Sequence, residues 1–397
     1  MAVWCNMAVV VGDSGGMGVD AKSRLDRLRV RIAERVEARL YDRVTRESPV
    51  RPTRDTAGWA SLVVAIVVHG VTLGCVLLGG WWILGVGTLG FVVAGIALLC
   101  LAILMRPRLG RISRDAVVLD AAAAPHLFAL VNRVADRLGT RPVRLIVVDA
   151  RFNAAVGEIG LRRRRVLWLG YPLWNVLDPA GRLALIGHEL GHYVNGDLRR
   201  GLVVGSSLNS LTELYRFLRE GPSPGGGNLL VEVAEALARL FMWLLSWPLL
   251  AIILIQERLL AQSGQRAEYY ADQLAARLAG ARAAVSVLET TNFADACLQE
   301  LHTAVIRRDS DIWAASRTWF TTMSPADRQR ILERAGPQQP RVDATHPPTR
   351  LRIAAIGTQA HTTETLHPDA TESDAIDTEL RAMIKPVTET IRARAVG

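Results

Sequence analysis

Paired cysteines are missing from this chain. Its four, Cys5, Cys75, Cys100 and Cys297, include no CxxC spacing, and two of them fall inside long apolar stretches. That excludes a disulfide framework or a thiolate metal site and fits a reducing compartment. Aromatic residues are also scarce, at 6%, although half of all residues are hydrophobic and the mean hydropathy is +0.19, a balance unusual for a purely soluble enzyme. The first nineteen residues carry no basic region ahead of their short apolar runs, so no cleavable signal peptide is expected, and Met7 or Met17 is an alternative start.

The most informative absence is that of charge. From Thr56 to Met105, fifty consecutive residues contain no Asp, Glu, Lys or Arg. At about 1.5 Å per helical residue this run far exceeds one crossing of a bilayer core of about 30 Å, so two spans are required. They are expected at about 57–79 and 81–105, with a turn at Gly79-Gly80, Trp59 at one interface and Trp81-Trp82 at the other. His69 lies within the first span and receives no role. Arg39, Arg43, Arg46, Arg51 and Arg54 precede this hairpin, and Arg106, Arg108, Arg111 and Arg114 follow it. The positive-inside rule therefore predicts a multi-pass protein of the cell membrane with both flanks and the downstream domain in the cytoplasm. The net charge of +9 then lies beside the anionic leaflet, and nucleic acid is not needed to explain it.

Residues 1–55 form a basic N-terminal extension in which Leu25, Leu28, Ile32, Val36, Leu40 and Val44 recur at helical spacing, predicting an amphipathic helix. After the membrane hairpin the pattern is mixed. A helix is expected over 125–138 and strands over 143–149, 152–156 and 166–169, with a solvated charged turn at Arg162 to Arg165. Asp178-Pro179 then opens another helix. The fold class predicted is mainly α with a small β-sheet.

That helix carries His188-Glu189-Leu190-Gly191-His192. Positions i and i+4 share a helix face, so His188 and His192 can offer two imidazoles to one tetrahedral zinc. Glu189, one step around, is placed to take a proton from the attacking water and pass it to the leaving amine. A third ligand is needed, and none follows at close spacing: position 195 is Asn and 198 is Leu. Farther on, Glu268 and Asp272 in RAEYYADQL are again i and i+4. Glu268 can supply the third ligand, and Asp272 can accept a hydrogen bond from a ligand imidazole and fix its tautomer.

The segments HELGH, HYVNGD, EYYAD and THPPTRLRI together resemble peptidase family M48, whose membrane members include the HtpX heat-shock proteases and the CAAX proteases; the resemblance spans roughly residues 57–354. It implies a zincin-like metalloprotease domain holding one zinc ion per chain through His188, His192 and Glu268. Glu189 is then the catalytic base and acid, and Asp272 the supporting carboxylate. It also implies that the strand with Asn153 and Ala154 is the edge on which an extended substrate lies, and that His346 and Arg352 sit near the site. His346 is then an oxyanion-stabilising catalytic group and Arg352 part of the supporting network. His367-Pro368 is a competing His-Pro pair, read as a plain turn.

His192 and Glu268 must reach one metal ion, so the segment between them crosses the membrane an even number of times. Residues 240–256 are uncharged and marginal in length; if they cross, 201–217, with Ser, Asn and Glu213, must cross too. The chain is thus divided into the extension, a transmembrane hairpin at 56–105, a metallopeptidase domain at 106–354 with a second membrane hairpin open at about 201–256, and a C-terminal tail at 355–397. The function expected is zinc-dependent cleavage of protein or peptide substrates beside membrane lipid, in membrane-protein quality control. A noncatalytic zinc-stabilised adaptor would not require Glu189, and a CAAX-type protease would need more spans than this hydropathy provides.

Overall fold

A computed structural model describes residues 56–107, 112–113, 115–160, 163–195, 197–220, 229–335, 347–358, 366 and 369–396. The N-terminal amphipathic helix, His346 and His367 lie outside the described residues.

The uncharged stretch forms α1 (Thr56–Trp81), a π-helical turn (Trp82–Val86) and α2 (Leu89–Leu104). The chain reverses at Gly87 rather than at Gly79-Gly80. Gly87 has φ 67°, a left-handed conformation open to glycine, and its N–H bonds back to the Trp82 carbonyl. Gly79 serves packing instead, since a Cβ there would stand 2.8 Å from the Gly95 carbonyl oxygen of α2.

Two further helices join this hairpin, α6 (Asp197–Glu220) and the first half of α7 (Leu229–Ala279), which runs unbroken through Pro248. Ala65, Val68, Val204, Leu208, Leu211, Leu249 and Ile253 form the shared interior. Outward, Trp59, Val63, Ile66 and Val67 of α1 and Phe241, Leu244 and Trp247 of α7 are exposed. An apolar surface of this extent is stable only against lipid or a partner. Among the described residues, two helices, Thr56–Val86 and Val231–Ala279, are long and apolar enough to cross a membrane. Three serines of α6, Ser206, Ser207 and Ser210, face protein, as a crossing would demand of them. Ser210 Oγ donates to the Met105 carbonyl at 2.6 Å, Gln256 Nε2 donates to Ser207 Oγ at 2.5 Å, and His69 Nε2 lies 3.0 Å from Ser206 Oγ.

Beyond the bundle lies a four-stranded sheet of order β1-β2-β4-β3, comprising β1 (Val117–Leu119), β2 (Leu145–Asp149), β3 (Ala154–Ile159) and β4 (Arg164–Gly170). β2 and β4 are parallel, and β3 pairs antiparallel with β4 as an edge strand. The sequence reading missed β1, whose three residues are too few to show a period. Helices α3 (Pro125–Arg137), α4 (Tyr171–Val176) and α5 (Pro179–Asn195) pack with the sheet around Leu127, Val131, Ile146, Leu167 and Ile186. Helices α8 (Ala281–Thr291), α9 (Ala294–Ile306), α10 (Ile312–Thr322), α11 (Pro325–Ala335) and α12 (Thr349–Gly357) follow.

The segment read from sequence as a C-terminal tail instead forms α13 (Ala370–Met383) and α14 (Lys385–Val396). Ile376, Leu380, Ile384, Val387 and Ile391, at steps of three and four, are buried in the main core. Buried Asp377 accepts from Arg182 of α5 at 2.8 Å, and Glu379 accepts the backbone N–H groups of His126 and Leu127, which start α3. These helices are therefore integral to the domain.

Candidate metal centre

Helix α5 starts where the sequence places it: Asp178 Oδ1 accepts the Gly181 N–H at 2.7 Å and Pro179 fills the first turn. Its partner is α7, and small residues let the two approach closely. A Cβ on Gly191 would stand 3.1 Å from the Ala271 Cα, and one on Gly187 would stand 3.0 Å from the Leu278 side chain. Gly187 and Gly191 share the spacing of His188 and His192, one position earlier. The stripe that admits α7 thus lies beside the stripe that carries the imidazoles.

This contact brings Glu268 between the two histidines. Its Oε2 is 3.5 Å from His188 Nε2 and its Oε1 is 3.5 Å from His192 Nε2. The imidazole rings stand nearly perpendicular, at 88°, with centroids 5.0 Å apart. One donor atom from each of the three residues lies within 4.8 Å of the others. A tetrahedral zinc ion with bonds of about 2.1 Å holds its ligands about 3.4 Å apart, so this donor set of two nitrogens and one oxygen fits zinc in size and in chemistry.

Behind His188, Asp272 Oδ1 lies 3.0 Å from Nδ1. Arg352 of α12 clamps Asp272 with two bonds, Nε to Oδ2 at 2.7 Å and a terminal nitrogen to Oδ1 at 2.6 Å, and lies 3.1 Å from Glu268 Oε2. Glu268, Asp272, Glu189 and Arg352 are all buried. Burial opposes the charged form of His188, but the bonded carboxylates of Asp272 and Glu268 outweigh it and push the imidazole up to about 10. Burial likewise works against Asp272, and Arg352 overcomes it, holding the carboxyl below its ordinary range. Arg352 is held firmly charged by Asp272 and Glu268 against its own burial, with Glu189 adding to the field. The negative field that draws a proton onto His188 is the field a divalent cation would meet.

A scan of protein families matches Peptidase family M48 over residues 121–360. The chain belongs to peptidase family M48. Among curated proteins it is similar to the protease HtpX homolog of Pyrobaculum calidifontis, 30% identical over 243 residues, 58% of this chain and 66% of the relative. The protease HtpX homolog of Thermococcus kodakarensis is 23% identical over 242 residues, 61% and 76% of the two chains. Protease HtpX homolog 1 of Saccharolobus solfataricus is 36% identical over 80 residues, 20% of this chain and 25% of the relative. The chain thus spans less than two thirds of the length of two of these relatives. No solved structure matches.

Ala154 opens edge strand β3 opposite Leu169, and the Asn153 carbonyl accepts the Gly170 N–H at 2.7 Å. Pro347 and Pro348 are buried at the start of α12, which carries Arg352. The sequence reading missed Tyr193, directly after His192. Its hydroxyl lies 2.6 Å from the Gly157 carbonyl, to which it donates, and accepts the Val166 N–H at 3.1 Å, tying the edge strand to the motif helix. Its place beside the motif was the only hint, because nothing local in the sequence marks a tyrosine that bonds strand backbone.

Proposed function

We propose that this chain is a membrane-anchored zinc endopeptidase that hydrolyses peptide bonds at the cytoplasmic face, with protein segments near the bilayer as substrates. The observation that carries this reading is the convergence of His188, His192 and Glu268, with buried Glu189 beside them and the Asp272–Arg352 pair behind. Zinc held by those three residues would polarise the scissile carbonyl and make the attacking water more acidic. Glu189 takes the proton from the attacking water and delivers it to the leaving amine. Asp272 holds the His188 ring in the tautomer that leaves Nε2 free to coordinate, and Arg352 keeps Asp272 ionised. The free edge of β3, from Ala154, pairs with the extended substrate by strand addition and sets the register of the scissile bond. His346 donates to the developing oxyanion. Four crossings, by α1, α2, α6 and α7, fit the burial of Ser207, Ser210 and Thr212 of α6 and return both ligand-bearing helices to one side.

Membrane-protein quality control suits a site carried by α5, just ahead of α6, and by the part of α7 that follows its apolar stretch. The test is cleavage of casein and of an unfolded membrane protein, alongside metal analysis, for wild type and Glu189→Gln. One zinc per chain in both, with cleavage in wild type alone, is the expected result. Undiminished cleavage by Glu189→Gln would sink the mechanism.

A further inference from the structure

Edge strand β3 carries little side-chain bulk on one of its two faces. Ala154 and Val156 turn toward the main core, where they stand opposite Leu169 and Leu167 of β4. Ala155, Gly157 and Ile159 alternate onto the other face, all three half-buried. On that face Trp168 of β4 is paired with Ala155, and its ring leans over Gly157. A Cβ on Gly157 would meet the six-membered ring of the indole at 2.8 and 3.2 Å, so the ring takes the place of the missing side chain. Trp168 itself is half-buried. A residue of β4 thus presents an aromatic edge over the outermost strand of the sheet, and a glycine is what admits it.

The direction of the backbone groups brings this position to a substrate. The Asn153 carbonyl accepts the Gly170 N–H, and the Gly157 carbonyl accepts the Tyr193 hydroxyl, which also takes the Val166 N–H. Residues 153, 155 and 157 therefore turn their backbone groups toward β4, while Ala154, Val156 and Glu158 turn theirs to the other side. Among the described residues no strand pairs with that side. A substrate strand added there bonds to Val156 and to the residues two positions away from it. Gly157 then falls in a non-hydrogen-bonded pair, where Cα atoms approach to about 4.5 Å and side chains stand closest. Directly opposed residues share a face, so the substrate side chain across from Gly157 projects beside the indole. Ala155 and Ile159, diagonal to it, continue the apolar surface. The charged residue on this face of the β3–β4 ladder is Arg164, opposite Ile159 and exposed at the turn end.

We infer that Trp168 determines specificity: it receives the substrate side chain opposite Gly157 and selects a large apolar one, such as phenylalanine, leucine or methionine. The positive edge of an indole suits an aromatic face or a thioether, and both bury apolar area against it. A charged side chain would give up hydration against the ring. The inference rests on the reading of this chain as a zinc peptidase that takes substrate by strand addition to β3, and it adds the substrate class. Unfolded segments rich in large apolar residues, as segments drawn from a bilayer are, would be preferred over polar ones.

The experiment gives the zinc-loaded full chain in detergent a peptide library varied at each position around the cleaved bond, with products read by mass spectrometry. Wild type should favour phenylalanine, leucine or methionine over alanine on the order of tenfold in kcat/KM at one fixed offset from the cut. Trp168→Ala should bring that ratio near one, and Trp168→Phe should keep most of it. Gly157→Ala, whose added methyl must displace the ring, should lower the ratio and favour smaller residues at the same offset. A wild type that cuts without preference at any offset overturns the inference. So does an unchanged ratio in Trp168→Ala or, should that variant not fold, in Gly157→Ala, either of which would put the preference elsewhere. Absence of cleavage by the zinc-loaded wild type would remove the peptidase reading itself, and the inference with it.

Discussion

Asp272 Oδ1 lies 3.0 Å from His188 Nδ1, while His188 Nε2, across the ring, faces Glu268 at 3.5 Å. Asp272 and Glu268 are one turn apart on α7, so a single helix faces both ring nitrogens of His188 on α5. With a metal in the proposed site, the Asp272 carboxylate would hold the proton on Nδ1 and leave the Nε2 lone pair for coordination.

Replacing Asp272 by Asn should therefore weaken zinc binding on the order of ten- to a hundredfold, measured by competition with a chromogenic chelator. Arg352→Gln should act in the same direction, since it leaves Asp272 buried without its clamp. Wild-type affinity in Asp272→Asn would remove this residue from the metal support.

Metal should also stabilise the fold. Zinc at a hundred times its dissociation constant adds about 2.7 kcal/mol to the state that binds it. Tm in detergent should thus be several degrees higher with zinc than with a chelator, and His188→Ala should show no such difference. Equal Tm values for the wild-type protein under both conditions would mean that no site forms.

Close approach of α5 and α7 should prove indispensable. Gly191→Leu places a side chain where Ala271 already lies 3.1 Å from the first added carbon, and overpacking of this kind costs about 1–3 kcal/mol. The expected outcome is lower Tm together with loss of stoichiometric zinc, because Glu268 is pushed away from the histidines. Full zinc content in a folded Gly191→Leu protein would contradict this account.

The C-terminal helices should prove essential as well. Arg182 and Asp377 form a buried pair at 2.8 Å, and breaking such a pair from one side costs about 3–5 kcal/mol. Asp377→Ala should lower stability by that order in chemical denaturation, and a chain ending before Ala370 should fail to fold. A stable, zinc-binding truncation would show these helices to be an accessory.

His346→Phe should bind zinc and substrate normally yet lose on the order of a hundredfold in turnover, as for removal of an oxyanion donor. His367→Phe should be nearly silent. Loss of metal in His346→Phe would make it a ligand, and inactivity of His367→Phe alone would exchange the two His-Pro pairs.

Much of this molecule is written in local pattern. Fifty uncharged residues give helices apolar enough for a bilayer, and the i, i+4 spacing within His188–His192 and within Glu268–Asp272 places each pair on one helix face before any packing is known. Asp178-Pro179 marks the start of α5 because capping is decided within one turn. Local pattern misplaced the turn of the membrane hairpin, however, because a glycine pair reads alike as a turn or as a packing notch. The close contact of Gly79 with α2 and the left-handed φ of Gly87 separate the two roles.

What required the folded chain was everything joining residues distant in sequence. Glu268 meets His188 and His192 only because glycines on α5 admit α7, and Arg352 reaches Asp272 across 80 positions. The C-terminal segment looked like a tail because its apolar stripe is short and its charges many; burial against α3 and α5, with Asp377 on Arg182, turns it into core. Periodicity reports which face of a helix is apolar, but the neighbour that covers it is chosen by shape and charge complementarity between segments, and that choice exists only in three dimensions.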